Sequence, residues 1–263
     1  MSTPLFALGV SILAVVTFDL LTVTIGGGTR FSISTRVSRG TFRLLRLLSR
    51  IGGTRVLTEV SGVVVMLAAA AFWIVGFWIG WSLVFGAGRG VELTREGMEA
   101  EAIHAPIHVG HLLSTLGGAV TRPATPAWGL ANALVGLNGM LALTLSVSFL
   151  LATRSTLQSA RAYASLASIG QPDPGALLDR LADVVAGLHA SPFALWYGHT
   201  RSDRRVPDAL LAHARQAEAV DGTVAARMRS LMRDLPHWDE RDGEPFLEAM
   251  ERWTRAHQLV GEG

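Results

Sequence analysis

The chain has 263 residues, of which 49% are hydrophobic and only 17% charged, whereas an ordinary soluble domain carries about 25% charged residues. Its formal net charge is +2, cysteine is absent, and all 23 basic residues are arginine. That composition excludes disulfides, thiolate metal sites, cysteine nucleophiles, lysine Schiff bases and the lysine of a phosphate-binding loop. It points to a chain partly in lipid, and the small net charge gives no reason to expect nucleic acid.

The first predicted element is an apolar helix over residues 5–25, interrupted only by Asp19. It has neither the basic leader nor the small-residue cleavage site of a signal peptide, so it reads as a first transmembrane span. A carboxylate is costly in lipid, less so close to the interface. Next come Arg30, Arg36, Arg39, Arg43, Arg46, Arg50 and Arg55, with no acid between them. The steps of three and four from Arg36 to Arg50 put five guanidiniums on one helical face. Val37, Leu44, Leu45, Leu48 and Ile51 fall largely on the other. An amphipathic helix lying against membrane lipids is expected, serving to anchor the chain and set its topology.

Residues 60–85 form an uncharged run of 26, long enough for a second span. Its Trp73, Trp78 and Trp81 are expected to face lipid or the interfacial belt. The following loop sets Glu92, Glu96, Glu99 and Glu101 against Arg89 and Arg95. The bias of arginine toward the cytoplasm then predicts an outside N-terminus and a cytoplasmic C-terminus.

Residues 104–114 suit a short helix with Pro106 in its first turn, and the glycines and prolines from Thr115 to Pro126 end it. That segment is too short to cross a bilayer twice. A short helix and a glycine-rich return between two spans predict a re-entrant loop, which is tolerated at membrane depth only where it lines water or is buried in protein. Backbone carbonyls there can replace an ion's water shell. His104, His108 and His111 share one helical face, but spacing fixes no fourth ligand, so no metal is expected; proton sensing is the other use of such imidazoles.

A third uncharged run, residues 128–153, holds Asn132, Asn138 and Gly139. The two amides line an inner cavity, join subunits or bond locally; position alone does not separate these. Beyond it, helices are predicted near 155–168, 175–188, 206–219, 223–234 and 245–258, with turns at 171–175 and 239–245. No Gly-x-Gly-x-x-Gly or nucleophile elbow is present, so neither an enzyme nor a cofactor is expected. His189, His199, His213, His237 and His257 read as scattered surface or packing residues.

Thr115-Leu116-Gly117-Gly118-Ala119-Val120-Thr121-Arg122-Pro123 resembles the filter of the bacterial two-transmembrane potassium channel family, in a branch with an extra N-terminal span. Thr115, Leu116, Gly117 and Pro123 match the family pattern, and Gly139 stands where the family often has its hinge glycine. The stretches 125–129, 143–151 and 191–199 are also similar. The resemblance implies a passive channel for monovalent cations, built as a homotetramer, with Thr115, Leu116, Gly117, Gly118 and Ala119 as filter. Asn132, Asn138 and Gly139 would line or hinge its inner helix. The sequence departs from the family where Gly118 replaces an aromatic residue, Ala119 a glycine and Val120 an acid. Three outcomes stay open: a potassium channel, a poorly selective cation pore, or a non-conducting scaffold or signalling protein acting through its tail. Arg122 after the filter opposes cation flow unless a glutamate of the 92–101 loop pairs with it.

The expected fold is thus an all-α integral protein of the plasma membrane, with three transmembrane helices, a re-entrant pore helix and loop, and a cytoplasmic helical tail. Its parts are a first helix (1–27), an arginine-rich segment (28–55), a pore module (56–153) and a helical domain (154–263).

Overall fold

The computed structural model describes residues 2–25, 32–49, 54–94, 100–114, 117, 120–168, 173–199, 201, 204–220 and 222–258. They are almost entirely α-helical. Three helices are long and apolar enough to cross a membrane: α1 (Thr3–Thr24), residues Val60–Gly88 of α3 (Thr54–Gly88), and α5 (Pro126–Ser168). Between them lie α2 (Ile33–Ser49), a short strand β1 (Val91–Leu93), α4 (His104–Leu113) and a second strand β2 (Thr121–Pro123). After α5 come α6 (Leu178–Ala190), α7 (Val206–Val220), α8 (Gly222–Arg233) and α9 (Phe246–Ala256), with 3-10 turns at Pro174–Leu177 and Pro192–Trp196.

The chain divides into two compact units that interleave in sequence. One holds Met1–Val37 and Ala69–Ser148, the other Ser38–Ala68 and Phe149–Gly263. Helices α2, α3 and α5 each contribute to both.

In the first unit, α1 and α3 pack through glycine. A Cβ on Gly9 would lie 2.8 Å from the Gly80 carbonyl, and one on Gly76 would meet the Val16 side chain at 2.5 Å. Small residues at such crossings let helix backbones approach where lipid supplies no hydrophobic drive. The two strands pair antiparallel, with Glu92 opposite Arg122, and tie the chain before α4 to the chain after it. This hairpin is absent from the sequence reading; three residues per strand are too few to show alternation.

The second unit has an apolar core drawn from the end of α5 and from α6 to α9. Leu181, Leu188, Leu210, Met228, Met232 and Met250 are fully buried. The predicted tail helices are present to within a few residues, except that the helix expected at 155–168 is the continuation of α5. The amphipathic helix also forms, with its apolar face divided: Phe42 and Leu45 are buried, while Leu44, Leu47 and Leu48 are exposed.

One expectation is corrected here. Trp73 and Trp81 are buried, not facing lipid. The Trp73 indole donates to the Asp19 carboxylate at 2.8 Å, and Trp81 packs beside Phe85. Only Trp78 is exposed, and its indole donates to the Pro106 carbonyl.

Candidate functional site

The segment between α3 and α5 is held by contacts inside the first unit. Helix α4 starts with Pro106 in its first turn, where a missing N–H costs nothing. Buried His108 bonds to the Thr121 hydroxyl through Nδ1 at 2.9 Å and to the Asn132 side-chain oxygen through Nε2 at 3.0 Å. One imidazole thereby joins α4, β2 and α5. The Phe85 ring stacks against both His108 and Trp128. Trp128 fits because Gly88 and Gly90 leave room; a Cβ on either would strike its indole.

The far end of α4 is seated as closely. A Cβ on Gly139 would lie 2.7 Å from the Leu113 carbonyl oxygen, so only glycine admits this contact. At helical rise, Gly139 lies about 20 Å along α5 from Pro126. Gly117 has a φ of +70°, which suits a residue without a side chain. Val120, just before β2, is exposed, and its carbonyl accepts from the Thr94 amide.

Of the five expected filter residues, Thr115, Leu116, Gly118 and Ala119 lie outside the described residues; Gly117 is described and exposed. Asn132 makes the bond to His108, within the chain. Asn138 is half-buried, and Gly139 contacts α4. Ser146 is buried, its hydroxyl without a partner among the described residues. Arg122 pairs with Glu92 at 3.4 Å, both side chains being about half exposed. The three histidines do not converge. His104 accepts from the Glu101 backbone, His108 is engaged at both nitrogens, and the described residues contain no group of three metal-ligating side chains.

Two arrangements were not read from the sequence. The first is the use of Asp19. Its carboxylate accepts from the Ile33 and Ser34 amides at the start of α2 as well as from Trp73, so a charge inside the first span caps the next helix. A lone acid in an apolar run is the signal, but its partners lie 14 and 54 residues away. The second is a cavity of about 440 Å³ in the other unit, where α2 arginines meet His237 and His257. From the sequence the two histidines read as scattered surface or packing residues and the arginines as a lipid-facing helix face.

No family model and no solved structure matches the chain. A curated relative, Uncharacterized membrane protein YdjJ from Bacillus subtilis (strain 168), is 26% identical over 114 residues, covering 43% of this chain. The chain spans about a third of that relative, 33% of whose length is matched. The likeness and the three long apolar helices agree: the chain is an all-α membrane protein.

Proposed function

We propose that the chain is a subunit of a homotetrameric cation pore of the potassium-channel type. It would lie in the plasma membrane, with the tail in the cytoplasm. The observation that carries this reading is the seating of the Leu113 carbonyl against Gly139. It sets the C-terminal end of α4, which bears partial negative charge, well along a span, and the sequence from Thr115 to Pro126 is too rich in glycine and proline to continue the helix. Non-helical backbone is stable at membrane depth only beside water or protein. A single copy leaves Gly117 and Val120 exposed, and α5 exposes Leu130, Leu134, Leu137 and Leu141. Further copies around one axis would supply the missing neighbours. Arg122 does not oppose this reading, since Glu92 offsets its charge.

The filter chemistry favours weak discrimination. Gly118 removes an aromatic brace, and Ala119 resists the left-handed geometry a glycine supplies, at about 1–2 kcal/mol. Four copies compound the effect, and ~1.4 kcal/mol is already tenfold in selectivity. A non-conducting scaffold acting through its tail is the second reading, favoured by the same two substitutions. Flux in liposomes holding purified protein separates the two. A cation flux with weak potassium preference is expected. Gly118→Tyr, Ala119→Gly and Val120→Asp made together should sharpen it. No flux from either protein supports the scaffold. A strongly potassium-selective flux from the unaltered chain overturns the filter argument.

A further inference from the structure

We propose that the cavity between α2 and the α8–α9 region of the second unit is a binding site for a phosphate-bearing polyanion. Arg39, Arg43 and Arg46 of α2 line one side of it; Arg241 and Arg252 line the other. Asp239 is the single acid on its wall among the described residues, and Arg252 pairs with Glu244 beside it. The guanidiniums in excess of these two carboxylates repel each other, and an anion relieves that repulsion. The planar guanidinium fork matches phosphate oxygens two at a time.

The arginines are in different states. Arg252 is held by Glu244, and Arg46 donates to the last carbonyls of α9, at Arg255 and Ala256. Those two are fixed in place. Arg43 and Arg241 form no ion pair among the described residues and both are exposed, but Arg241 lies close enough to Glu244 to help lower that carboxyl's pKa. Arg43 is the more available of the two to a ligand.

His237 adds an independent sign. It lines the same cavity, and its Nε2 is buried without a hydrogen-bond partner among the described residues. Buried polar atoms are normally satisfied, so an incoming acceptor is the partner it lacks. Its backbone φ of 61° is left-handed, unusual without glycine and typical of sites where surrounding structure holds strain for a purpose. The ring is stacked between Trp196 and His257, which fixes its direction. Burial and the neighbouring arginines push both imidazoles down to about 4, so the free cavity holds them neutral; a bound anion removes that pressure.

The volume decides the ligand's size. A cavity of about 440 Å³ suits a small molecule or a lipid headgroup, not a peptide or nucleic acid chain. The shared chemistry is a group with two or more phosphate charges. The site does not depend on whether the first unit conducts.

The test uses the full-length protein in nanodiscs of phosphatidylcholine, with inorganic pyrophosphate as the soluble probe. Calorimetric titration at constant ionic strength, with sodium chloride as control, should show saturable binding to one site per chain. In a second arm, nanodiscs containing phosphatidylinositol phosphate but no pyrophosphate report the lipid source through a raised unfolding temperature. Pyrophosphate binding alone assigns a soluble ligand. A lipid effect that pyrophosphate reverses assigns a headgroup. The paired variant Arg43→Gln with Arg241→Gln removes no ion pair, so its unfolding temperature without ligand should match the unaltered protein. Its affinity for whichever probe binds should fall at least about tenfold, as expected from losing two charge-assisted contacts. Neither probe binding better than chloride overturns the proposal, as does unchanged affinity in the paired variant.

Discussion

Both units bury apolar side chains, and they differ in the groups they expose and in the polar groups they enclose. The first exposes Leu130, Leu134, Leu137 and Met140 while enclosing Asp19 and His108. The second encloses Leu181, Met228 and Met250 and carries its arginines at the surface or around a cleft. The difference is the one expected if the first unit lies in lipid and the tail helices of the second lie in water, as proposed above. In lipid an outward leucine costs nothing, whereas every polar group needs a partner inside the protein. In water the leucines supply the driving force, and charges are left to the solvent. The first unit adds specific hydrogen bonds at Asp19 and His108 and close glycine contacts to its apolar packing, whereas the core around α6 to α9 is largely apolar.

That contrast breaks first at Asp19. Asp19→Ala leaves the Ile33 and Ser34 amides and the Trp73 indole without an acceptor. At about 1–3 kcal/mol for each buried unsatisfied donor, a loss of about 3–9 kcal/mol is expected. Leu188→Ala, at a fully buried core position, should cost the second unit about 2–5 kcal/mol through the cavity it leaves. Hydrogen exchange read by mass spectrometry separates the two. The aspartate variant should speed exchange around residues 33–37 and 69–77. The leucine variant should do so in the peptides covering α6 to α9. Equal loosening of both units by either change would show that they are not separate cooperative structures.

Acid sharpens the comparison on the side of the second unit. His237 and His257 are depressed to about 4, by burial first, then for His237 by Arg39 and His257 and for His257 by Arg46 and Arg39. They face Arg39, Arg43 and Arg46 from α2, Asp239 and Arg241 from the connection after α8, and Arg252 from α9. Their folded pKa lies below the unfolded value of about 6.5, so between those limits the unfolded chain binds more protons. Stability is therefore full above about pH 6.5 and falls as the pH drops toward 4. With half-buried rings, a loss of about 1–2 kcal/mol per imidazole is expected. Unfolding temperature measured from pH 7.5 to 4.5 should show it, and His237→Gln with His257→Gln should flatten the profile.

What the sequence made legible was local. Two uncharged runs of 26 residues and an apolar stretch broken only by Asp19 state three spans without any knowledge of packing, and Leu181, Val184 and Leu188 repeat at helical spacing, so α6 was visible. Pro106 marked the start of α4, and the charges of residues 92–101 made a partner for Arg122 foreseeable. What remained hidden was distant in sequence. Trp73 reads as a belt residue until Asp19 is placed beside it. Arg46 is 209 residues from the Arg255 carbonyl it meets, and nothing periodic links α2 to His237. Burial of a polar side chain depends on its partner, and a partner across the fold leaves no spacing to read.

The smallest effect concerns the pair that bears on the mouth of the proposed pore. Arg122 and Glu92 sit opposite each other on β2 and β1, 3.4 Å apart, with about half of each side chain in solvent. An exposed pair of this kind contributes about 0–1 kcal/mol, so Arg122→Gln should barely change the unfolding temperature. Glu92→Gln should do as little to stability, but it leaves the arginine's charge uncompensated. If four such arginines ring a cation path, cation flux should fall in Glu92→Gln, hold or rise in Arg122→Gln, and differ between the two most at low ionic strength. Equal flux in both variants at low salt would remove the hairpin from the conduction path while leaving its structural role intact.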